Sequence, residues 1–105
     1  MALLVYLTTP NSACAEQISL ELLQRHLVAC INLLPAVRSL CWWKGSLERS
    51  DEVVCIAKTE EDRFEELSAV VRRLHPDECP GLVSVPIEAA PKAVLDWIHT
   101  STRPE

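Results

Sequence analysis

Glycine is nearly missing from this chain of 105 residues, which holds only Gly45 and Gly81. A phosphate-cradling loop needs glycines close together, so no such nucleotide site is readable. Basic runs are as scarce: Lys and Arg number 10 against 15 Asp and Glu, net charge is −5, and no basic cluster exceeds Arg72-Arg73. That balance argues against binding a nucleic-acid backbone. No apolar stretch approaches the roughly 20 residues of a membrane span. The start, Met1-Ala2-Leu3-Leu4-Val5-Tyr6-Leu7, lacks the charged opening of a signal peptide and is too short for one. The five cysteines (Cys14, Cys30, Cys41, Cys55 and Cys79) are odd in number and lack C-x-x-C spacing. They predict reduced thiols in a cytoplasmic protein. Ser12, Ser19 and Ser39 have no readable His/Asp partnership, so the chain is not read as an enzyme with an activated nucleophile.

What is present is apolar sequence, 49% of the chain, in an amount that fits one globular domain over residues 1–105. The organising stretch runs from Val28 to Thr59. Two long arms, Val28 to Cys41 and Leu47 to Ala57, are joined through Trp42-Trp43-Lys44-Gly45-Ser46. Gly45 supplies the backbone freedom a tight connection requires, which predicts one β-hairpin. Each arm is about twice the usual strand of roughly 5–6 residues. An arm of about 13 residues reaches roughly 43 Å, against a radius of gyration of about 13 Å expected for such a domain. The distal hairpin must overhang its core while carrying Trp42 and Trp43 at its tip. Such a ribbon wants a partner, and the reading is an oligomer.

In chain order, Ala2 to Thr9 reads as a buried strand ended by Pro10. Asn11 and Ser12 offer N-cap oxygens to a helix whose apolar face is Ala15, Ile18, Leu22 and Leu27. Pro35 inside the first hairpin arm implies a bulge or an unpaired edge. Asp62 with Glu65 forms a capping-box-like start to a helix carrying Phe64, Leu67, Val70, Val71 and Leu74. That helix stops at His75-Pro76. Leu82 to Val85 is a short strand closed by Pro86, and Pro91 opens a last helix with Val94, Leu95 and Ile98. The order predicts an α+β, ferredoxin-like β-α-β-β-α-β fold with an antiparallel sheet, a long hairpin and a C-terminal helix.

Chemistry concentrates after the second helix. His75, Glu78 and Cys79 place an imidazole, a carboxylate and a thiol within five positions. Nitrogen and sulfur donors suit copper or zinc. The structural alternative has His75 ending a helix and Cys79 packing as a small apolar residue. Trp42 and Trp43 are a stacking platform for a ring or, more economically, an interface with a neighbouring subunit.

Taken together, Ala29-Cys30-Ile31-Asn32-Leu33-Leu34-Pro35, Ser39-Leu40-Cys41-Trp42-Trp43-Lys44-Gly45, Glu52, Lys58-Thr59, Leu74 to Pro80, Pro86-Ile87 and Leu95-Asp96-Trp97 resemble the CutA divalent-cation-tolerance family. The blocks follow in family order over nearly the whole chain. The resemblance implies a homotrimer in which long hairpins extend a neighbour's sheet, with Trp42, Trp43, Lys44 and Gly45 at the interface. It implies tolerance of a divalent, copper-class cation through weak binding, with Cys30 as a further metal-contact candidate. It also implies a polar inter-subunit cleft holding Glu52 and Lys58 beside His75. Two positions depart from the family pattern: Cys41 stands where tyrosine is usual, and so does Asp77. Other readings are a regulatory trimer binding a small anion or metabolite in its clefts, an enzyme using His75, Glu78 and Lys58, and an assembly scaffold without a ligand.

Overall fold

A computed structural model describes residues 1–103. Its sheet has the strand order β2-β3-β1-β4, built from β1 (Ala2–Thr9), β2 (Cys30–Trp43), β3 (Ser46–Glu60) and β4 (Val83–Pro86). Every pairing is antiparallel. Helices α1 (Ser12–Gln24) and α2 (Phe64–Leu74) cover one face, and α3 (Lys92–Ser101) follows β4. This is the predicted ferredoxin-like arrangement.

The core forms where alternate residues of β1 and β3 meet the two helical stripes. Val5 and Leu7 of β1, and Val53, Cys55 and Ala57 of β3, pack with Ile18 and Leu22 of α1 and Leu67, Val70 and Val71 of α2. Strand alternation sends the intervening side chains to the opposite face. There Tyr6, Leu34, Val83 and Val85 are exposed.

Asn11 caps α1 as predicted, its side chain accepting from the Cys14 amide at 2.8 Å. The helix stops earlier than the apolar stripe suggested. His26 takes a left-handed conformation (φ 55°), while its amide donates to the Leu23 carbonyl and that of Leu27 to the Leu22 carbonyl. This paired closure usually employs glycine. Leu27 therefore lies beyond the helix yet remains fully buried. The capping box is corrected as well: Glu61–Arg63 forms a 3₁₀ turn, and α2 begins without a side-chain cap. Asp62 is instead drawn to the Arg103 guanidinium, 2.9 Å away, a stronger partner than a backbone amide.

The hairpin follows expectation. β2 and β3 join through Lys44 (φ 49°) and Gly45 (φ 82°), the two left-handed residues of a tight hairpin turn. Pro35 coincides with a register shift between Leu34 and Val37, where Ala36 is left-handed at φ 61°. β1 pairs with β3 only as far as Val53. From Val37 to Asp51 the hairpin is a two-stranded ribbon, almost entirely exposed, and the molecule measures 43 × 26 × 22 Å.

Candidate functional site

The ribbon and the segment after α2 enclose a groove of about 800 Å³. Its sheet side is set by register. Val37 opposes Glu52, Ser39 opposes Ser50, Cys41 opposes Glu48 and Trp43 opposes Ser46. These pairs share one face because strand side chains alternate, and all but Ser46 line the groove. Asp77, Glu78 and Cys79 line the other wall, and Tyr6 and Thr8 of β1 the floor. The walls thus present the carboxylates of Glu48, Glu52, Asp77 and Glu78 and two thiols, against the single guanidinium of Arg38. Such a groove raises the local concentration of cations.

Lys44 clasps the groove at the hairpin end. Its Nζ lies 3.1 Å from Glu78 Oε2 and 5.6 Å from the centroid of the Trp43 ring. Both partners of the ion pair are mostly exposed, so the clasp is weak, on the order of 1 kcal/mol or less.

His75 has a different job from the one its neighbours suggested. Its side chain is fully buried. Nδ1 accepts the Asp77 amide at 3.0 Å and Nε2 faces the Thr8 carbonyl at 2.8 Å. The amide can only donate, so Nδ1 holds a lone pair and the proton sits on Nε2, aimed at the carbonyl. Both nitrogens are thereby engaged within the chain, tying the end of α2 to β1. His75 is not brought together with Glu78 and Cys79 as a ligand set. Among the described residues no group of three or more His, Cys, Asp and Glu is placed to hold a metal ion. The thiols and carboxylates of the groove have suitable chemistry for a cation but do not converge within one chain.

The remaining candidates divide. Glu52 lines the groove. Lys58 lies six residues along β3, about 20 Å at strand rise, so the structure does not place these two in one cleft with His75. Lys58 instead sits across from Cys30, Nζ to Sγ 3.9 Å. Cys30 is half-buried and Cys55 buried. Burial holds the thiols of Cys55 and Cys14 above the usual range, with the Asp77 charge adding to the effect at Cys14. Cys41 and Cys79 are exposed. Trp42 is the most exposed tryptophan, and Lys44 and Gly45 form the tip.

Sequence reading missed Glu48, Tyr6 and Cys41 as partners in one groove. The Glu48-x-Ser50-x-Glu52 alternation was the available signal. Counting inward from the turn pairs Cys41 with Glu48 and Val37 with Glu52 before the bulge beside Pro35 is reached, but nothing local shows that the segment after α2 and β1 lie against that face.

A family model described as CutA1 divalent ion tolerance protein matches residues 3–101. The divalent-cation tolerance protein CutA of Archaeoglobus fulgidus is 37% identical over 94 residues, covering 90% of this chain and 91% of that one. The CutA of Pyrococcus horikoshii is 35% identical, covering 96% and 98%. Among solved structures, the periplasmic divalent cation tolerance protein CutA from Archaeoglobus fulgidus superposes with a TM-score of 0.94 at 35% identity, over 98% of this chain and all of that one.

Proposed function

Since the chain belongs to the CutA1 divalent ion tolerance family, we propose that it is a cytoplasmic homotrimer contributing to divalent-cation tolerance by weak, copper-class metal binding, without catalysis. The observation that carries this reading is the groove: four carboxylates and two thiols face a space that one chain does not close. Donors that do not converge give weak binding. A neighbouring subunit docked on the overhanging ribbon is what brings further donors near them.

Support for assembly comes from the ribbon and the open sheet face. An isolated two-stranded hairpin is marginal in water. This one also exposes Leu40, Trp42 and Leu47, each by 60% or more. The non-catalytic part of the proposal rests on the histidines. His26 bonds to Ser101, His75 to Thr8 and Asp77, and His99 to Glu60. None faces a hydroxyl or thiol as a base would. Among the described residues no helix is long and apolar enough to cross a membrane, and the Archaeoglobus relative is called periplasmic. The cytoplasmic proposal therefore stands on the free thiols, and rapid alkylation of fresh lysate under denaturing conditions checks it: five labelled thiols are expected in the unfolded chain, and a disulfide in native material overturns it.

A second reading is favoured by the groove's size, which lies within the roughly 300–1,000 Å³ of small-molecule sites. In it the trimer senses a metabolite, and the carboxylates select a cationic one. Titration calorimetry with Cu(II), Zn(II) and a panel of small metabolites separates the readings. Heats from the metals alone support cation tolerance by binding, heats from a metabolite support the sensor, and silence from all of them overturns both.

A further inference from the structure

At the root of the hairpin, away from the groove, two nucleophilic side chains face each other. Cys30 opens β2 and stands opposite Lys58 of β3 in the ladder, with Lys58 Nζ 3.9 Å from Cys30 Sγ. The Ala29 amide donates to the Lys58 carbonyl at 2.8 Å, which fixes the backbones beside the pair. Both side chains are half-buried. Among the described residues no carboxylate lies within ion-pair distance of the Lys58 nitrogen, so it is not engaged elsewhere. We propose that Cys30 and Lys58 form a peroxide-sensitive switch, in which oxidation of the thiol joins its sulfur to the lysine nitrogen as a reversible sulfenamide.

The chemistry follows from what Cys30 can reach. Sulfur attacks one oxygen of hydrogen peroxide, the O–O bond breaks, and the products are a sulfenic acid and water, with sulfur oxidised and the peroxide reduced. A sulfenic acid condenses with a nearby thiol or nitrogen. No second thiol is offered on this face. Cys30 and Lys58 share the side of the sheet that carries Leu4 and Tyr6, whereas Cys55 and Cys14 pack on the helix side in the core. Cys41 and Cys79 line the groove further along the hairpin. The nitrogen at hand is that of Lys58, on a flexible four-carbon stem that can close the remaining distance without moving the backbone. Once it has given up its proton, its lone pair attacks sulfur and the sulfenic oxygen leaves as water, with no further electron transfer. Thiol, amine and one hydrogen peroxide thus give sulfenamide and two waters. Two external thiols reverse the link, restoring thiol and amine and leaving as a disulfide. While linked, Cys30 is kept from the irreversible sulfinic acid.

This switch does not rest on the divalent-cation reading, because no metal takes part. The test treats the reduced full chain, in its native assembly and with a chelator present, with hydrogen peroxide. The oxidant is then quenched, the chain unfolded and alkylated, and peptide masses are read after non-reducing digestion. The expected product is a Cys30 peptide joined to a Lys58 peptide, two hydrogens lighter than their sum, which dithiothreitol returns to free thiol and amine. Linking should increase with pH, since only the neutral amine attacks. Lys58→Arg keeps the positive charge but removes the nucleophile, so the linked peptide should vanish and sulfinic acid at Cys30 should rise several-fold. Cys14→Ser should leave the link unchanged. Circular dichroism guards against misfolding, and Lys58→Gln serves in place of an arginine variant that fails it. A parent whose Cys30 stays unreacted, or is oxidised without the linked peptide, overturns the proposal. So does a link that survives in a folded Lys58 variant, or equal sulfinic acid at Cys30 in parent and variant.

Discussion

At the scale of single residues, His75 is the side chain whose role the fold changed. As a metal ligand it would be expendable for folding. As a buried bridge between the Thr8 carbonyl and the Asp77 amide, it leaves two orphaned groups and a cavity when removed. His75→Ala should therefore cost about 2–4 kcal/mol in urea unfolding at fixed protein concentration, without abolishing Cu(II) heats. Unchanged stability would refute the bridging role. The cysteines make a second residue-scale prediction. Thiolate, not thiol, reacts with alkylating agents. Burial disfavours the thiolate at Cys55, and burial with the Asp77 charge does so at Cys14. Timed alkylation of the native protein should label Cys41 and Cys79 first and Cys55 last, read by peptide mass.

At the scale of elements, the ribbon and α3 are each held by a few identifiable contacts. Ala36 occupies the left-handed position of the bulge at φ 61°, a conformation costing an L-residue roughly 1–2 kcal/mol. Ala36→Gly relieves that strain and gives back part of the gain as chain entropy. A net stabilisation of about 0.5–1 kcal/mol is expected, while Gly45→Ala, with open space around its Cβ but φ 82°, should destabilise by about 1 kcal/mol. Helix α3 is tied down by Arg103, which reaches Glu60 at 2.8 Å and Asp62 at 2.9 Å, and by His99 to Glu60. The hydrogen bond from Arg103 holds the Asp62 carboxyl below its usual range. A depressed carboxylate contributes stability above its unfolded value, near 3.9, and loses it as pH falls through the folded value. The difference in urea midpoint between Asp62→Asn and the parent should be present at pH 7 and close below about pH 4. A gap that persists in acid would place the cause elsewhere.

At the scale of the whole molecule, one chain leaves too much undone. The ribbon from Val37 to Asp51 has no third strand, and Tyr6, Val83 and Val85 lie open on the sheet face away from the helices. Sedimentation at micromolar concentration should give a mass near three chains, and a stable folded monomer would sink the assembly. Trp42→Ala with Trp43→Ala should shift the equilibrium toward monomer, since interface aromatics commonly cost about 2 kcal/mol or more when truncated.

Local chemistry was legible in the sequence because it depends on neighbours along the chain. The apolar run of β1, the stripe of α2, the Asn11 cap, the Lys44–Gly45 turn and the break at Pro35 all act over a few residues. The ferredoxin-like order followed from them, and the length of the hairpin arms alone required an overhang. The candidate site was legible only in part. Glu52, Glu78 and Cys79 do face one groove, while His75 and Lys58 do not line it. His75 stands two residues from Asp77 in sequence, yet its ring turns inward because Thr8, 67 residues away, offers a buried carbonyl that needs a donor. Cys41 and Cys79 line one groove from opposite walls, because the tight turn sets the register of the ribbon and the segment after α2 lies against that face, where Lys44 pairs with Glu78. Hydrogen bonds and ion pairs between distant segments have no periodicity, so only the tertiary structure decided which donors meet.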